Sequence, residues 1–455
     1  MEVVPFDGLC ESVGLNDKRR QIMTFKFAKN ATLLVSAMVM AGMAWAQQKP
    51  AELKVGITTF MSGPASVFGV PAKAAAEILF DDLNAQGGIA GVKVTPVFID
   101  EGMGGDKLLS EYRRVVQDQG VRTMFSAISS GNCNIVAPVA EDLKVLNLMW
   151  DCGTEKLLEE KKFRYVVRTQ ANATTEMVAT VIYLLKTNPN FKTIAVVNQD
   201  YAWGRDSWEI FRNTLLALKP DVQVVGEFFP KFGAPDFSTE VSRLSALKPD
   251  VILSTSWGGD LETFVRQAAQ RGLFKQSKFV LPLAESSLER LGTTLPDGVI
   301  VGARGDHYFL HPETKDDPKH KQFVQKFKAK TDSYPIYSVY HMAQAVAGLK
   351  AGYENAMKAN GGKWPSTEEV ADAMHNMEFK GYGRAVKMRS DGQGLEDQLL
   401  GVTKKTAQYP FPVMDQMMII PAEVATTPVG QKSPAWVKSV KADILQVKVK
   451  TYSAN

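Results

Sequence analysis

Residues 53–101 read LKVGITTFMSGPASVFGVPAKAAAEILFDDLNAQGGIAGVKVTPVFIDE. An apolar strand carrying Leu53, Val55 and Ile57 runs into the loop Ser62-Gly63-Pro64, and an Ala-rich helix follows. Gly87-Gly88-Ile89-Ala90-Gly91 then ends the helix, and a second apolar strand closes at Asp100-Glu101. Strand, crossover helix and parallel strand make a βαβ unit, whose ligand sites lie beyond the carboxyl ends of the strands. That end carries Ser62, Gly63 and Phe68.

The chain has 455 residues, more than a single core usually supports, so two lobes are expected. Apolar residues make up 45% and charged residues 22%, and the formal charge of +4 is spread along the chain. That is the composition of a globular protein without the basic stripe that marks a nucleic-acid binder.

The first 46 residues read as an address. Lys26 and Lys29 precede an apolar run over 31–42, and Ala44-Trp45-Ala46 follows. A charged start, a short apolar run and a small-x-small site make a secretory signal peptide over 23–46, cut after Ala46. The run is too short to span a bilayer. Residues 1–22 carry four acidic side chains and read as an extension ahead of a natural start at Met23. The expected location is periplasmic.

Export to an oxidising compartment bears on the cysteines. Cys10 falls in the leader, leaving Cys133 and Cys152, which both follow apolar runs of strand character. Two readings stand: a Cys133–Cys152 disulfide, or two small buried thiols. A metal site would need more ligands than these.

Downstream, strands are predicted over 93–99, 123–128, 145–150, 165–168, 193–198, 222–228, 251–254, 279–282 and 298–303. Helices are predicted over 107–119, 135–142, 175–187, 206–217, 237–247, 261–272 and 320–329, with a further apolar helix through 342–348 packing on the first lobe. Asp236, Ser238 or Thr239 caps one helix and Gly272 stops another. Alternation of this kind points to parallel sheets covered on both faces.

Several phrases carry a family resemblance: Ser62-Gly63-Pro64 with Phe68-Gly69, Asn84 to Gly91, Ser129-Ser130, Tyr201-Ala202-Trp203-Gly204-Arg205-Asp206, Asp236-Phe237-Ser238, Lys248-Pro249-Asp250 and Gly258-Gly259. In this order, over about 52–420, the chain resembles the periplasmic leucine/isoleucine/valine-binding proteins. The resemblance implies the type I periplasmic binding protein fold: α/β, two doubly wound parallel-sheet lobes joined by three crossover strands, with the ligand trapped between them. Lobe 1 would comprise 51–168 and 304–393, lobe 2 would comprise 169–303 and 394–430, and the Lys-bearing stretch 431–455 would be a solvated C-terminal tail.

The resemblance also implies a site. Ser130, with Ser129 and nearby backbone N–H groups, would hold a ligand carboxylate, where a helix start favours an anion. A Ser-Ser pair is equally an N-cap. The family's Ala-x-Thr segment maps to Cys152 and Thr154, preceded here by Asp151, an acid that pairs with an amine, caps a helix or bonds a hydroxyl. Phe68, Trp203 and Trp257 would supply apolar walls, with Tyr337 a further aromatic candidate. The family's ammonium-binding glutamate maps to Leu283 without a gap and to Glu285 with a two-residue shift. If Glu285 misses the cleft, the ligand is a carboxylate without an amine, including an aromatic acid.

Enzymatic constellations are missing from the sequence. There is no Gly-x-Ser-x-Gly elbow, phosphate loop or dinucleotide fingerprint. His307 and His311 have i,i+4 spacing, but Pro312 follows and no third ligand appears, so a surface loop pair is expected. The expected protein is a monomer without cofactor that captures a small amino acid, amide or organic acid and delivers it to ABC permease and ATPase subunits. A ligand sensor docking a membrane receptor is the alternative.

Overall fold

The computed structural model describes residues 49–454 of the chain. The leader, the extension before Met23, and Cys10 lie outside the described residues. The opening stretch forms β1 (Glu52–Thr59), the helix Ser66–Ala85 and β2 (Lys93–Asp100). The strands pair in parallel from Glu52↔Lys93 to Thr59↔Asp100. Val55 and Ile57 of β1 are fully buried, while Ala72, Ala75 and Ala76 let the helix lie close to the sheet. Gly88 turns the chain with φ +67, and a Cβ there would lie 2.0 Å from the Val92 carbonyl oxygen. Only glycine suits that turn.

The first sheet adds β3 (Thr123–Phe125), β4 (Leu146–Met149) and β5 (Val166–Arg168) in the order β2-β1-β3-β4-β5, all parallel. The second begins with β6 (Thr193–Val197), β7 (Gln223–Phe228), β8 (Val251–Leu253), β9 (Lys278–Leu281) and β10 (Ile300–Gly302). A small antiparallel sheet of β11 (Glu378–Lys380), β12 (Ala385–Met388) and β13 (Gly394–Leu395) precedes the return of the chain. β14 (Gln398–Lys404), β15 (Val413–Ile420) and β16 (Thr451–Tyr452) then complete the second sheet in the order β16-β15-β14-β10-β9-β8-β6-β7.

The expectation of wholly parallel sheets holds for the first lobe and fails at one edge of the second. β10 pairs antiparallel with β14, and β14 with β15. The strands after the last crossing are joined by a short connection rather than a crossover helix, so they run in opposite directions.

The chain passes between the lobes three times. Arg168 donates its N–H to the Gly392 carbonyl at 2.8 Å, Ala303 N–H to Leu399, and Leu399 N–H to Gly305, the last two at 3.0 Å. The crossing segments therefore lie side by side. The helix Tyr337–Ala359 packs against Ser66–Ala85 in the first lobe. Asp236 accepts the Ser238 N–H at 3.2 Å, and Gly272 follows the helix Gly258–Gln270 at φ +72.

The stretch after Pro428 corrects the reading of a solvated tail. Its lysines 432, 438, 441, 448 and 450 are exposed, but Val437 between them is fully buried. Trp436, Ile444, Leu445, Val447 and Val449 pack against the core. Buried Ser433 bonds Thr174 at 2.5 Å, Thr427 at 2.6 Å and the Glu159 carboxylate, and β16 pairs with β15. The lysines carried the sequence impression, while the apolar residues interleaved with them do the packing. Val437→Asp places a charge in that contact and should lower unfolding free energy by about 3 kcal/mol in urea titration. An unchanged midpoint would refute the packing role.

Candidate functional site

The carboxyl ends of both sheets face one cleft. Its wall comprises Ile128, Ser130, Asp151 and Gly153 from the first sheet's loops, Tyr201, Trp203, Trp257 and Leu283 from the second, and Arg304 and Tyr337. The lobes meet closely: the centre of a water-sized sphere has about 10 Å³ to move in, space for roughly one water. A ligand can enter only as the lobes part.

Each wall residue is fixed by its own partners. Ser130 starts the helix Ser130–Asp142, and its Oγ accepts the Thr154 N–H at 3.2 Å. Tyr201 precedes the helix Ala202–Leu218, and its Oη accepts Trp257 Nε1–H at 2.6 Å. Trp203 Nε1–H donates to the Thr255 carbonyl at 2.9 Å. Phe68 stands behind the wall, edge-on to Trp257 with centroids 5.2 Å apart and 5.1 Å from Tyr337. It supports the tryptophan without lining the cleft.

Arg304 is the main charged group. It follows the second crossing with φ 54, and its guanidinium lies 4.8 Å from the Trp203 ring and 4.9 Å from Tyr337. Nε and Nη2 donate to Glu176 at 3.0 and 3.1 Å, Nη2 also reaches the Asp151 carbonyl at 3.2 Å, and Nη1 lies 3.4 Å from Asp151 Oδ1. Burial pushes the Asp151 and Glu176 carboxyls up to about 7, against the opposing pull of Arg304. The two acids tie Arg304 to both lobes, since Asp151 follows β4 and Glu176 lies on the helix Ala173–Thr187.

Of the residues the sequence singled out, Ser130, Asp151, Trp203, Trp257 and Tyr337 come together in the wall. The others lie elsewhere. The Ser129 and Ile128 N–H groups, expected to face an anion, donate to the buried Glu101 carboxylate at 3.4 and 2.8 Å. Burial raises Glu101 to about 7 against the bonds from Asn132, Ile128, Ser129 and Thr58. Cys152 is in a disulfide with Cys133, with Cα atoms 6.5 Å apart, and so offers the cleft no thiol. Thr154 turns its hydroxyl to Asp206 of the other lobe at 2.8 Å, and Gly153 takes the wall position instead.

Glu285 also misses the cleft. Its Oε2 accepts the Tyr337 N–H at 3.0 Å at the start of the helix Tyr337–Ala359, while Leu283 lines the wall. His307 and His311 are buried, not a surface pair: His307 Nδ1 faces Glu396 at 3.2 Å and His311 Nε2 bonds Asp306 at 2.8 Å. Among the described residues no group of His, Cys, Asp and Glu has the makings of a metal site.

Reasoning from the sequence missed Ile128, Arg304, Tyr201 and Gly153. Tyr201 stood within the motif already quoted, but its neighbour Trp203 drew the assignment. Arg304 gave no local signal, because its place depends on the crossing.

A larger hollow of about 740 Å³ lies on the outer side of the first lobe. Its buried His320 is already bonded to Tyr340 at 2.8 Å and faces Thr314.

Two outcomes test this geometry. A Cβ at Gly153 would stand 2.3 Å from Trp203 Cζ3 and 3.2 Å from Arg304 Nη2. Gly153→Val should therefore hold the lobes apart, giving a larger radius of gyration by small-angle scattering with unchanged circular dichroism. Burial pushes Glu285 up to about 8, from an ordinary 4.5, outweighing Tyr337 N–H and Arg290. The folded protein thus keeps a proton that the unfolded chain releases, and stability falls as pH rises between those values. Glu285→Gln should flatten the fall in melting temperature between about pH 5 and 7.5; a slope equal to wild type would contradict the burial.

Residues 52–405 match the family model described as periplasmic binding protein. The Leu/Ile/Val-binding protein of Citrobacter freundii is 25% identical over 320 residues, covering 70% of this chain and 82% of the relative. Among solved structures, an ABC transporter solute-binding protein of R. palustris in complex with benzoate superposes with a TM-score of 0.68 at 19% identity, covering 80% of this chain and 95% of that one. Another, from Rhodopseudomonas palustris BisB5 in complex with 3,4-dihydroxybenzoic acid, gives 0.69 at 20% identity, with 80% and 97% covered. The two lobes, the three crossings and the cleft at the strand ends have the type I architecture of these structures, and the chain belongs to the periplasmic binding protein family, as a non-catalytic, extracytoplasmic solute-binding protein.

Proposed function

We propose that this protein captures a small organic acid lacking an α-amine, with an aromatic or branched apolar body, and hands it to the membrane subunits of an ABC importer. The exported form would begin at Gln47, after the leader.

The observation that carries this reading is the balance of donors in the cleft. Ser130 Oγ already accepts the Thr154 N–H and Tyr201 Oη accepts Trp257 Nε1–H, so each hydroxyl keeps its own proton to give. Arg304 adds Nη1, which approaches Asp151 Oδ1 at 3.4 Å. Three donors around apolar rings suit a carboxylate on an apolar body. Leu283 stands where the family's ammonium-binding acid is expected, and Glu285 is engaged by the Tyr337 N–H. The benzoate and dihydroxybenzoate complexes of the two Rhodopseudomonas proteins agree with an aromatic acid.

The test is a thermal-shift screen of the mature protein with aromatic acids, branched aliphatic acids, amides and α-amino acids. A ligand at a thousand times its dissociation constant stabilises by about 4 kcal/mol, which appears as a shift of several degrees. Shifts from amine-free acids and none from amino acids are expected; the reverse pattern would return the site to amino acids. Ser130→Ala should weaken the best acid by about 1.5–3 kcal/mol in calorimetric titration. Wild-type affinity in that variant would place the carboxylate elsewhere.

A further inference from the structure

Among the donors of the cleft stands one acceptor. Asp151 lines the wall and is 1% exposed. Its Oδ1 meets His341 Nδ1 at 2.5 Å and Arg304 Nη1 at 3.4 Å, but its Oδ2 is buried without a partner. A stranded acceptor in a protein interior costs about 1–3 kcal/mol, so a ligand donor placed there is favoured.

The protonation of the pair follows from its neighbours. His341 Nε2 lies 3.1 Å from the Arg304 carbonyl oxygen, which can only accept, so Nε2 carries a hydrogen. Burial, helped by His307, holds the imidazole well below its ordinary range and therefore neutral, which makes Nδ1 an acceptor. The proton between Nδ1 and Oδ1 then belongs to Asp151, in line with a carboxyl pushed up to about 7 by burial. A neutral Asp151 does not repel a carboxylate beside it. With the proton on either partner, Oδ2 remains an acceptor.

The spacing defines what the donor is attached to. Arg304 Nη1 is 3.4 Å from Oδ1 of the same carboxyl group, so an anion on the guanidinium and a donor on Oδ2 sit side by side. We propose that Asp151, positioned by His341 and through it by the hinge carbonyl of Arg304, makes the cleft selective for acids that carry a hydroxyl beside the carboxylate. These are α-hydroxy acids or ortho-hydroxybenzoates. The inference rests on the amine-free acid reading and adds a requirement to it.

Isothermal titration of the folded mature protein with matched pairs tests it: mandelate against phenylacetate, and 2-hydroxybenzoate against benzoate, with phenylglycine as the amine control. In at least one pair the hydroxy acid should bind up to about tenfold more tightly, the upper value of one hydrogen bond between neutral groups. That ratio should fall to near one in Asp151→Ala, whatever the change in absolute affinity, and should also drop in His341→Phe, which keeps a ring without its nitrogens. Which pair shows the preference separates the α-hydroxy from the ortho-hydroxy class. Equal affinities within both pairs overturn the inference and leave the amine-free reading intact. A ratio unchanged in Asp151→Ala removes Asp151 from the role. Binding of phenylglycine with none by the four amine-free acids overturns both readings. If the variants do not fold, the wild-type ratios decide.

Discussion

One buried carboxylate holds the three crossing segments together. Glu396 lies on the third crossing and is 1% exposed. Its Oε2 accepts the Ala171 N–H of the first crossing at 3.2 Å, and its Oε1 accepts the Asp306 N–H of the second at 3.1 Å. Gln344, from the helix Tyr337–Ala359, donates to Oε1, and His307 Nδ1 faces it. Burial works to raise its pKa, but contact with His307 and the Gln344 bond bring it below the ordinary range, so it is ionised at neutral pH. The contact is close enough that a Cβ on Gly305 would stand 2.2 Å from Oε1. Without Glu396, two buried backbone N–H groups would lose their partner at about 1–3 kcal/mol each.

Hinge and cleft are thereby one structure. Arg304 follows the second crossing directly, and its carbonyl accepts from His341 while its guanidinium reaches Asp151 in one lobe and Glu176 in the other. A buried guanidinium is stable only where its charge is paired and its N–H groups are bonded, and Glu176 supplies both. The Trp203 and Tyr337 rings cover its faces. Rotation of the lobes about the crossings must rearrange this cluster, so a ligand held between the lobes would shift the balance between open and closed only by its differential affinity for the two arrangements. Thr154 and Lys156 meet Asp206 across the lobes, at 2.8 and 2.6 Å, and add a second tie outside the cleft.

Local patterns made much of the fold legible. Strand 193–198 and helix 175–187 were readable because short apolar β-branched runs and longer apolar stretches bounded by turn residues carry their own signal, and they correspond to Thr193–Val197 and Ala173–Thr187. Ser130, Trp203 and Trp257 reach the cleft because each sits where a strand ends and a helix begins, a position the alternation already marks. Thr154 and Glu285 were misjudged for one reason: an acid or hydroxyl takes the best partner within reach, and Asp206 and the Tyr337 N–H are neighbours only in three dimensions. The final segment was misread because five lysines dominate its composition, while burial of Val437 depends on a surface formed by residues far away in the chain.

The sequence by itself determined the alternation of strands and helices, the two-lobed plan and the aromatic and hydroxyl side chains at the strand ends. These depend on neighbours a few residues apart. Only the tertiary structure decided that Arg304 occupies the cleft, that Leu283 rather than Glu285 lines it, that Glu101 takes the amides expected for an anion, and that Asp151 keeps one oxygen unpartnered. Such choices are competitions among buried polar groups for hydrogen bonds, and the competitors are brought within reach only when three distant crossings close around Glu396.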